Sequence, residues 1–141
     1  MQIGVETSKA VDNKRVFVVD SDEITRAALQ FMLHDENETH ELSSIAGAID
    51  KAREWPPHLV LLGIGMVQLQ GTAVIDSIKS SMAGAKILLV CDSAGDALVK
   101  DALAHGADGT LLTPLRIESV RRKVDSALGR AVPIGIPVVQ G

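Results

Sequence analysis

Four short apolar runs divide the chain, and each is followed by polar residues, glycine or proline. They are Val16–Val19, Leu59–Leu62, Ile87–Val90 and Leu111–Leu112. Runs of this length without alternation are typical of strands that are buried on both faces of a parallel sheet. A fifth, more polar strand is predicted over Thr39–Leu42, and its polarity suits an edge of the sheet.

Between these runs, apolar residues recur three or four positions apart, which predicts amphipathic helices whose apolar positions face the core. The clearest sets are Ile24, Ala27, Ala28 and Phe31, then Val74, Ile75, Ile78 and Met82, and finally Ile117, Val120, Val124 and Leu128. A further helix is predicted over Ala46–Glu54. Helices therefore alternate with strands in five strand–helix units.

This alternation predicts a three-layer α/β domain, because right-handed crossovers place helices on both faces of a parallel sheet. The expected fold is a doubly wound (βα)5 domain with five parallel strands in the order 2-1-3-4-5 and five helices. Ligands of such sheets bind beyond the carboxyl ends of the strands. Candidate chemistry is therefore sought in the residues that follow the apolar runs, which are Asp20–Asp22, Gly63–Gly65, Cys91–Ser93 and Thr113–Pro114.

The pattern assigns the domain to residues 15–128 and leaves a flank on each side. Residues 1–14 form a polar N-terminal extension without periodicity. Residues 129–141 form a tail with proline and glycine that is too broken for a helix and too apolar for an ordinary solvated linker. Such a tail leads to another domain, or packs on this domain or on a neighbour.

Composition narrows the classes of partner. A net charge of -4 and an isoelectric point of about 5.5 argue against direct nucleic-acid binding and against an acidic membrane surface. No apolar run approaches the roughly 18 residues of a membrane-spanning helix, so no membrane insertion is expected. The first residues do not resemble a signal peptide and there is one cysteine, so the expected location is cytoplasmic.

Three segments together resemble response-regulator receiver domains of the CheY-like family. Val18–Arg26 is similar to the opening motif, Leu59–Val67 to the segment that carries the phosphoacceptor, and Ala104–Leu115 to the Gly-Ala turn, fifth strand and proline loop. The resemblance covers residues 15–128. It implies a flavodoxin-like fold and a role in bacterial two-component or phosphorelay signalling, although a fold does not by itself establish function.

The resemblance fails at the phosphorylation site. Receiver domains carry an acidic pair after the first strand, an acceptor Asp after the third, Thr or Ser after the fourth and Lys after the fifth. Here Asp20 keeps the first acidic position, but Ser21 occupies the second. Gly63 stands at the acceptor position, Cys91 replaces the hydroxyl residue and Thr113 replaces the lysine. A degenerate pseudo-receiver that lacks its acceptor is therefore expected.

Each substitution removes a group that the chemistry requires. Gly63 has no carboxylate to attack a phosphoryl group, so aspartyl phosphorylation at this position is impossible. The loss of two carboxylates also predicts that Mg²⁺ binding is weak or absent, and no other metal or cofactor is expected. Asp22 is adjacent to the lost ligand, but its position favours a role as the N-cap of the first helix. No catalytic residue is predicted.

The predicted function is phosphorylation-independent binding of a protein partner in a signalling or regulatory pathway, with a homodimer as one form of it. The candidate face comprises the fourth predicted helix, the fifth strand and the last helix, and its candidate residues are Val99, Leu103, Thr110, Arg121 and Arg122. Thr110 stands where receiver domains often have a switch aromatic. An equally weighted alternative is that Val99 and Leu103 only complete the core.

Two other classes of function remain open at this point. The altered strand-end pocket is a candidate small-ligand or enzymatic site, or the chain is the N-terminal regulatory part of a DNA-binding regulator. Gly63-Ile64-Gly65 lacks the last glycine and the acidic residue of a dinucleotide fingerprint. Cys91 has no basic neighbour in sequence to activate a redox thiol, so a small buried residue is the preferred interpretation.

Overall fold

The structure of the protein is a computed structural model that describes residues 14–130. One sheet contains five parallel strands in the order 2-1-3-4-5, which confirms the predicted fold class and strand order. The strands are β1 (Arg15–Val19), β2 (Glu38–Leu42), β3 (Leu59–Gly63), β4 (Lys86–Cys91) and β5 (Gly109–Leu112).

Six helices, rather than the expected five, connect or follow these strands within the described residues. They are α1 (Glu23–Leu33), α2 (Ile45–Ala52), α3 (Ile64–Gln70), α4 (Ala73–Ser81), α5 (Ala97–Ala104) and α6 (Ile117–Ala127). The additional helix, α3, begins directly after Gly63 and has seven residues. It contains no proline, so every residue retains its backbone donor, and it buries Met66 and Val67.

The helices cover both faces of the sheet, as the alternation predicts. Phe17 and Val19 of β1 face the layer of α2, α3, α4 and α5. Val16 and Val18 face the layer of α1 and α6. Consecutive strand residues point to opposite faces, so both sets are buried and the strands are apolar throughout. This arrangement places the carboxyl ends of all five strands at one edge of the molecule.

The face that α1 presents to the sheet differs from the prediction. Leu29 and Leu33 are buried, whereas Ile24 and Phe31 are 78% and 71% exposed. The helix carries two apolar faces, and the one that contains the two leucines packs against the sheet. The predicted core positions of α4 and α6 are confirmed for most members of each set, namely Val74, Ile75, Ile78, Met82, Val120 and Val124.

The polar strand β2 lies at an edge of the sheet, as its sequence predicts. Its first residue, Glu38, accepts a hydrogen bond of 2.7 Å from Arg15 Nε and lies 2.8 Å from His40 Nε2. The bond from the Arg15 guanidinium, together with the contact with His40, lowers the pKa of Glu38 to about 2. The Arg15–Glu38 contact links the edge strand β2 to β1.

The two predicted flanks, residues 1–14 and 129–141, lie outside the described residues except at Lys14, Gly129 and Arg130. Arg130 follows α6 and contacts the end of α1. Its Nη2 donates to Asn37 Oδ1, its Nη1 lies 3.4 Å from Glu36 O, and it forms an ion pair of 3.4 Å with Asp125. In the range 14–130, no helix is long and apolar enough to cross a membrane.

Candidate functional site at the carboxyl ends of the strands

Asp20 occupies the space that an acceptor side chain would need. It follows β1, and its backbone N–H donates to Leu42 O at 3.1 Å. A Cβ atom placed on Gly63 would lie 2.2 Å from Asp20 Oδ2 and 2.4 Å from Asp20 Cγ. These distances are far below van der Waals contact, so Gly63 permits the side chain of Asp20 to lie over the end of β3.

Neighbouring groups hold Asp20 in this position. Its Oδ1 accepts a hydrogen bond from Asp22 N at 3.0 Å. Its carbonyl oxygen accepts from Arg26 Nη1 at 2.7 Å, and Arg26 Nε also lies 3.4 Å from Glu41 Oε1. Burial raises the pKa of the Asp20 carboxyl group. The roles of Arg26 and Glu41 were not predicted from the sequence. The only feature of the sequence that could have indicated a role for Arg26 is its position one turn after the N-cap of α1.

The other two residues of this loop do not contribute a free ligand to the site. Asp22 is the N-cap of α1, which confirms the preferred prediction, and its Oδ1 accepts from Ile24 N at 3.3 Å. Its Oδ2 accepts from Thr25 Oγ1 at 2.6 Å, and this bond lowers the pKa of Asp22. Ser21 is exposed. The carboxylate of Asp22 therefore serves the helix terminus rather than the position of the missing acid.

Cys91 ends β4 as a buried residue of the core that faces α2, α3, α4 and α5. Its Sγ lies 3.8 Å from Leu89 O. Burial raises the pKa of the thiol, which disfavours the thiolate that redox chemistry requires. The environment of Cys91 supports a packing role.

Thr113 contacts Asp92, which the sequence places among the candidate strand-end residues but without a predicted role. Its Oγ1 donates to Asp92 Oδ1 at 2.5 Å, and its backbone N–H donates to Cys91 O at 2.9 Å. The Thr113–Pro114 peptide bond is cis. Asp92 directly follows β4, and this position at the carboxyl end of a strand is the feature of the sequence that indicates a role in the site. The hydroxyl group of Thr113 is thus bonded to Asp92.

The residues present do not form the Mg²⁺ site that receiver domains require. Asp20 directs one carboxylate oxygen to the backbone of Asp22, and its side chain fills the space over Gly63. Among residues 14–130, no cluster of three or more histidine, cysteine or acidic side chains is placed to hold a metal ion. Hard divalent cations need several oxygen ligands at one point, and this site offers too few.

The structure separates the residues of the predicted partner face. Val99 is fully buried, so it belongs to the core and does not contact a partner; Leu103 is half-buried against the same core. Arg121 Nε donates to Met32 O at 3.0 Å, which directs this side chain toward α1. The burial of Val99 corrects its assignment to the predicted face, whereas the partly exposed Leu103 and Arg121 remain predicted members of that face. Thr110 is half-buried and Arg122 is exposed.

Arg122 instead lines a groove between β5 and α6 with a volume of about 570 Å³. The β5–α6 groove is lined by Leu111, Leu112, Thr113, Pro114, Arg116, Ser119, Val120, Arg122, Lys123 and Ser126. Its three cations are exposed, and none forms an ion pair with another residue between 14 and 130. Leu112 is 49% exposed. The groove combines an apolar floor with positive charge in a chain whose net charge is -4.

The fold is that of a receiver-type domain. Residues 16–125 match the response regulator receiver domain family, and the chain belongs to that family. The chemotaxis protein CheY of Halobacterium salinarum is 30% identical over 116 residues, with 82% of this chain and 97% of that protein covered.

The chain is also similar to part of a longer protein and to a solved structure of similar length. The protein-glutamate methylesterase/protein-glutamine glutaminase 1 of Methanospirillum hungatei is 33% identical over 113 residues, with 76% of this chain but 33% of that protein covered. Among solved structures, a response regulator from Thermotoga maritima has a TM-score of 0.73 and 21% identity, with 83% of this chain and 98% of that chain covered. The last comparison supports the fold alone.

Proposed function

We propose that this domain is a pseudo-receiver that is not phosphorylated on an acceptor aspartate and that acts by binding a protein partner. The observation that carries this proposal is Gly63 at the end of β3, which offers no side-chain carboxylate as a nucleophile, with the side chain of Asp20 lying in the space above it. The site has lost its nucleophile, and Asp20 fills the space. A module of this kind has no catalytic residue, needs no Mg²⁺ and acts in the cytoplasm.

The β5–α6 groove supports a partner of particular chemistry. Arg116, Arg122 and Lys123 provide positive charge around the apolar surface of Leu112 and Pro114. Clustered charge of one sign favours a partner of opposite charge and increases the association rate. We therefore infer that the partner presents an acidic segment with apolar side chains, from a signalling protein or from a second copy of this chain. Nucleic acid is disfavoured by the net charge of -4.

Charge reversal in the groove tests this proposal. The probe is a synthetic peptide that alternates glutamate with leucine, and its binding is followed by fluorescence anisotropy at two salt concentrations. The variant Arg122→Glu/Lys123→Glu should bind the peptide about tenfold more weakly, with reduced dependence on salt, because attraction becomes repulsion. Thermal stability should remain nearly constant because both side chains are exposed.

A matched control is Lys51→Glu/Arg53→Glu, which makes the same change of net charge at the end of α2, away from the groove. It should change the affinity less than about twofold. Equal losses in the two double variants would show that net charge alone attracts the peptide, and the groove would then not be the binding site. Tighter binding of duplex DNA than of the peptide would contradict the proposed class of partner.

A further inference from the structure

Helix α1 exposes an apolar face that the receiver fold does not use. The α1 stripe consists of Ile24, Ala27, Ala28 and Phe31, which lie at positions i, i+3, i+4 and i+7 and so share one side of the helix. Ile24 is 78% exposed and Phe31 is 71% exposed. The opposite face already packs against the sheet through Leu29 and Leu33.

Isolated exposed apolar side chains are ordinary on protein surfaces, but a contiguous group of them marks an interaction site. Two of the five large hydrophobic residues that are exposed between residues 14 and 130 lie on this one stripe, with two alanines between them. The stripe is about 10 Å long, given a rise of about 1.5 Å per residue. A short apolar segment is sufficient to cover it.

The last described residue, Arg130, lies close to the carboxyl end of α1. It contacts Asn37 and Glu36, which follow that helix. The remaining eleven residues reach roughly 35–40 Å when extended. The whole stripe is within that reach.

The sequence of this segment fits an extended apolar ligand. Residues 131–139 carry no charged side chain, and Pro133 and Pro137 exclude a regular helix. In an extended chain, alternate side chains point to the same side. The alternate residues here are Val132, Ile134, Ile136 and Val138, all branched and apolar.

We propose that the C-terminal segment 132–138 docks in extended form on the α1 stripe of its own chain. Burial of the branched side chains against Ile24 and Phe31 removes apolar surface of both partners from water. Attachment at Arg130 favours the intrachain contact, because a tether of a few residues gives an effective concentration of about millimolar. This proposal is independent of the proposed function, since it concerns neither the strand-end site nor the β5–α6 groove.

Engineered cysteines test where the segment lies. In a Cys91→Ala background, Ala27→Cys is combined with Ile134→Cys, and disulfide formation in dilute protein is followed by mass and by gel mobility. Residue 134 is about 13 Å of extended chain beyond Arg130, comparable to the roughly 10 Å between residues 34 and 27 along the helix. The intrachain disulfide should form at least tenfold faster than in the control pair Ala83→Cys/Ile134→Cys.

Ala83 is a matched control position because it is also exposed and lines a hollow with Leu128, close to the end of α6. Equal rates for the two pairs would overturn the proposal, since a segment without a preferred site would reach both cysteines. A disulfide between two chains, in preference to one within a chain, would also overturn it and would assign the stripe to a second copy.

Truncation after Arg130 provides a second, independent measurement. Removal of residues 131–141 should lower the melting temperature of the otherwise unchanged chain by about 3 °C or more. The same truncation should have no effect in Ile24→Ser/Phe31→Ser, because the docking surface is already lost. An equal shift in both backgrounds, or no shift in either, would contradict docking on the stripe.

Discussion

Gly63→Asp should give a less stable domain that is still not phosphorylated. The new Cβ atom would lie 2.2 Å from Asp20 Oδ2, so the side chain of Asp20 must move and lose its bond from Asp22 N. Two carboxylates then compete for one partly buried space, which raises the pKa of at least one of them. We expect a loss of about 2–4 kcal/mol in the free energy of unfolding at neutral pH.

The sign of the pH dependence follows from the raised pKa. A carboxyl group whose pKa is higher in the folded state than in the unfolded state lowers the stability of the fold at a pH where the group is ionised in both states. The deficit of Gly63→Asp relative to the native chain should therefore be small near pH 4 and grow as the pH rises toward 7. Urea unfolding at several pH values, followed by circular dichroism, measures this difference.

Two further variants separate the causes. Gly63→Ala adds the same Cβ atom but no charge, so any deficit that it shows should not grow with pH. Gly65→Ala is the matched control: it lies in α3 with no atom within 4 Å of the added Cβ, and it should stabilise the domain by about 0.5–1 kcal/mol. A Gly63→Asp deficit that stays the same from pH 4 to pH 7 would contradict the proposed competition between the two carboxylates.

Phosphorylation of Gly63→Asp should stay far below the rate of an ordinary receiver domain. The variant regains a nucleophile but not the groups that organise the reaction. Ser21 supplies no carboxylate, Cys91 is buried in the core, and the Thr113 hydroxyl group is bonded to Asp92. Rapid labelling of this single variant by acetyl phosphate would show that the acceptor alone was missing.

Val99→Glu should unfold the domain or destabilise it by about 3 kcal/mol or more, because an ionised side chain without a partner would enter the core. Val99 has no exposed surface and belongs to the cluster that includes Met66 and Ala102. The adjacent Lys100 is exposed, so Lys100→Glu should change stability by less than about 0.5 kcal/mol. Urea unfolding of both variants measures the difference. A stable Val99→Glu domain with weakened self-association would instead restore Val99 to a partner surface.

Most of the fold could be predicted from the sequence because the strands are buried on both faces. Val16–Val19 and Leu59–Leu62 have no polar position that would be compatible with an exposed face. The polar β2 could be assigned to the edge for the same reason. Helix α3 was not predicted, because a seven-residue helix that directly follows a strand offers too few turns for its periodicity to be recognised.

The orientation of α1 and α5 shows where periodicity becomes ambiguous. Helix α1 has apolar residues on two sides, and their spacing does not identify which side meets the sheet. Leu29 and Leu33 pack there, and Ile24 and Phe31 remain exposed. In α5 the same ambiguity concerns Val99, which the structure buries completely.

The candidate site was predictable in its residue types but not in its contacts. The positions of Asp20, Gly63 and Thr113 at or directly after the ends of their strands follow from the strand pattern. That Asp20 lies over Gly63, and that Thr113 is bonded to Asp92, depends on side-chain directions between strands that are distant in sequence. The orientations of these side chains are set by tertiary packing, and no short sequence pattern indicates them.

The most direct test is to treat the unmodified protein with a phosphodonor. The chain is incubated with acetyl phosphate and Mg²⁺, its intact mass is measured, and its amide spectrum is recorded with beryllium fluoride and Mg²⁺, with a phosphorylatable receiver domain treated in parallel. We predict no phosphoryl adduct and no Mg²⁺-dependent shifts around Asp20 and Gly63. A phosphoryl adduct on Asp20 or Asp22, or saturable shifts centred on that site, would contradict a phosphorylation-independent domain.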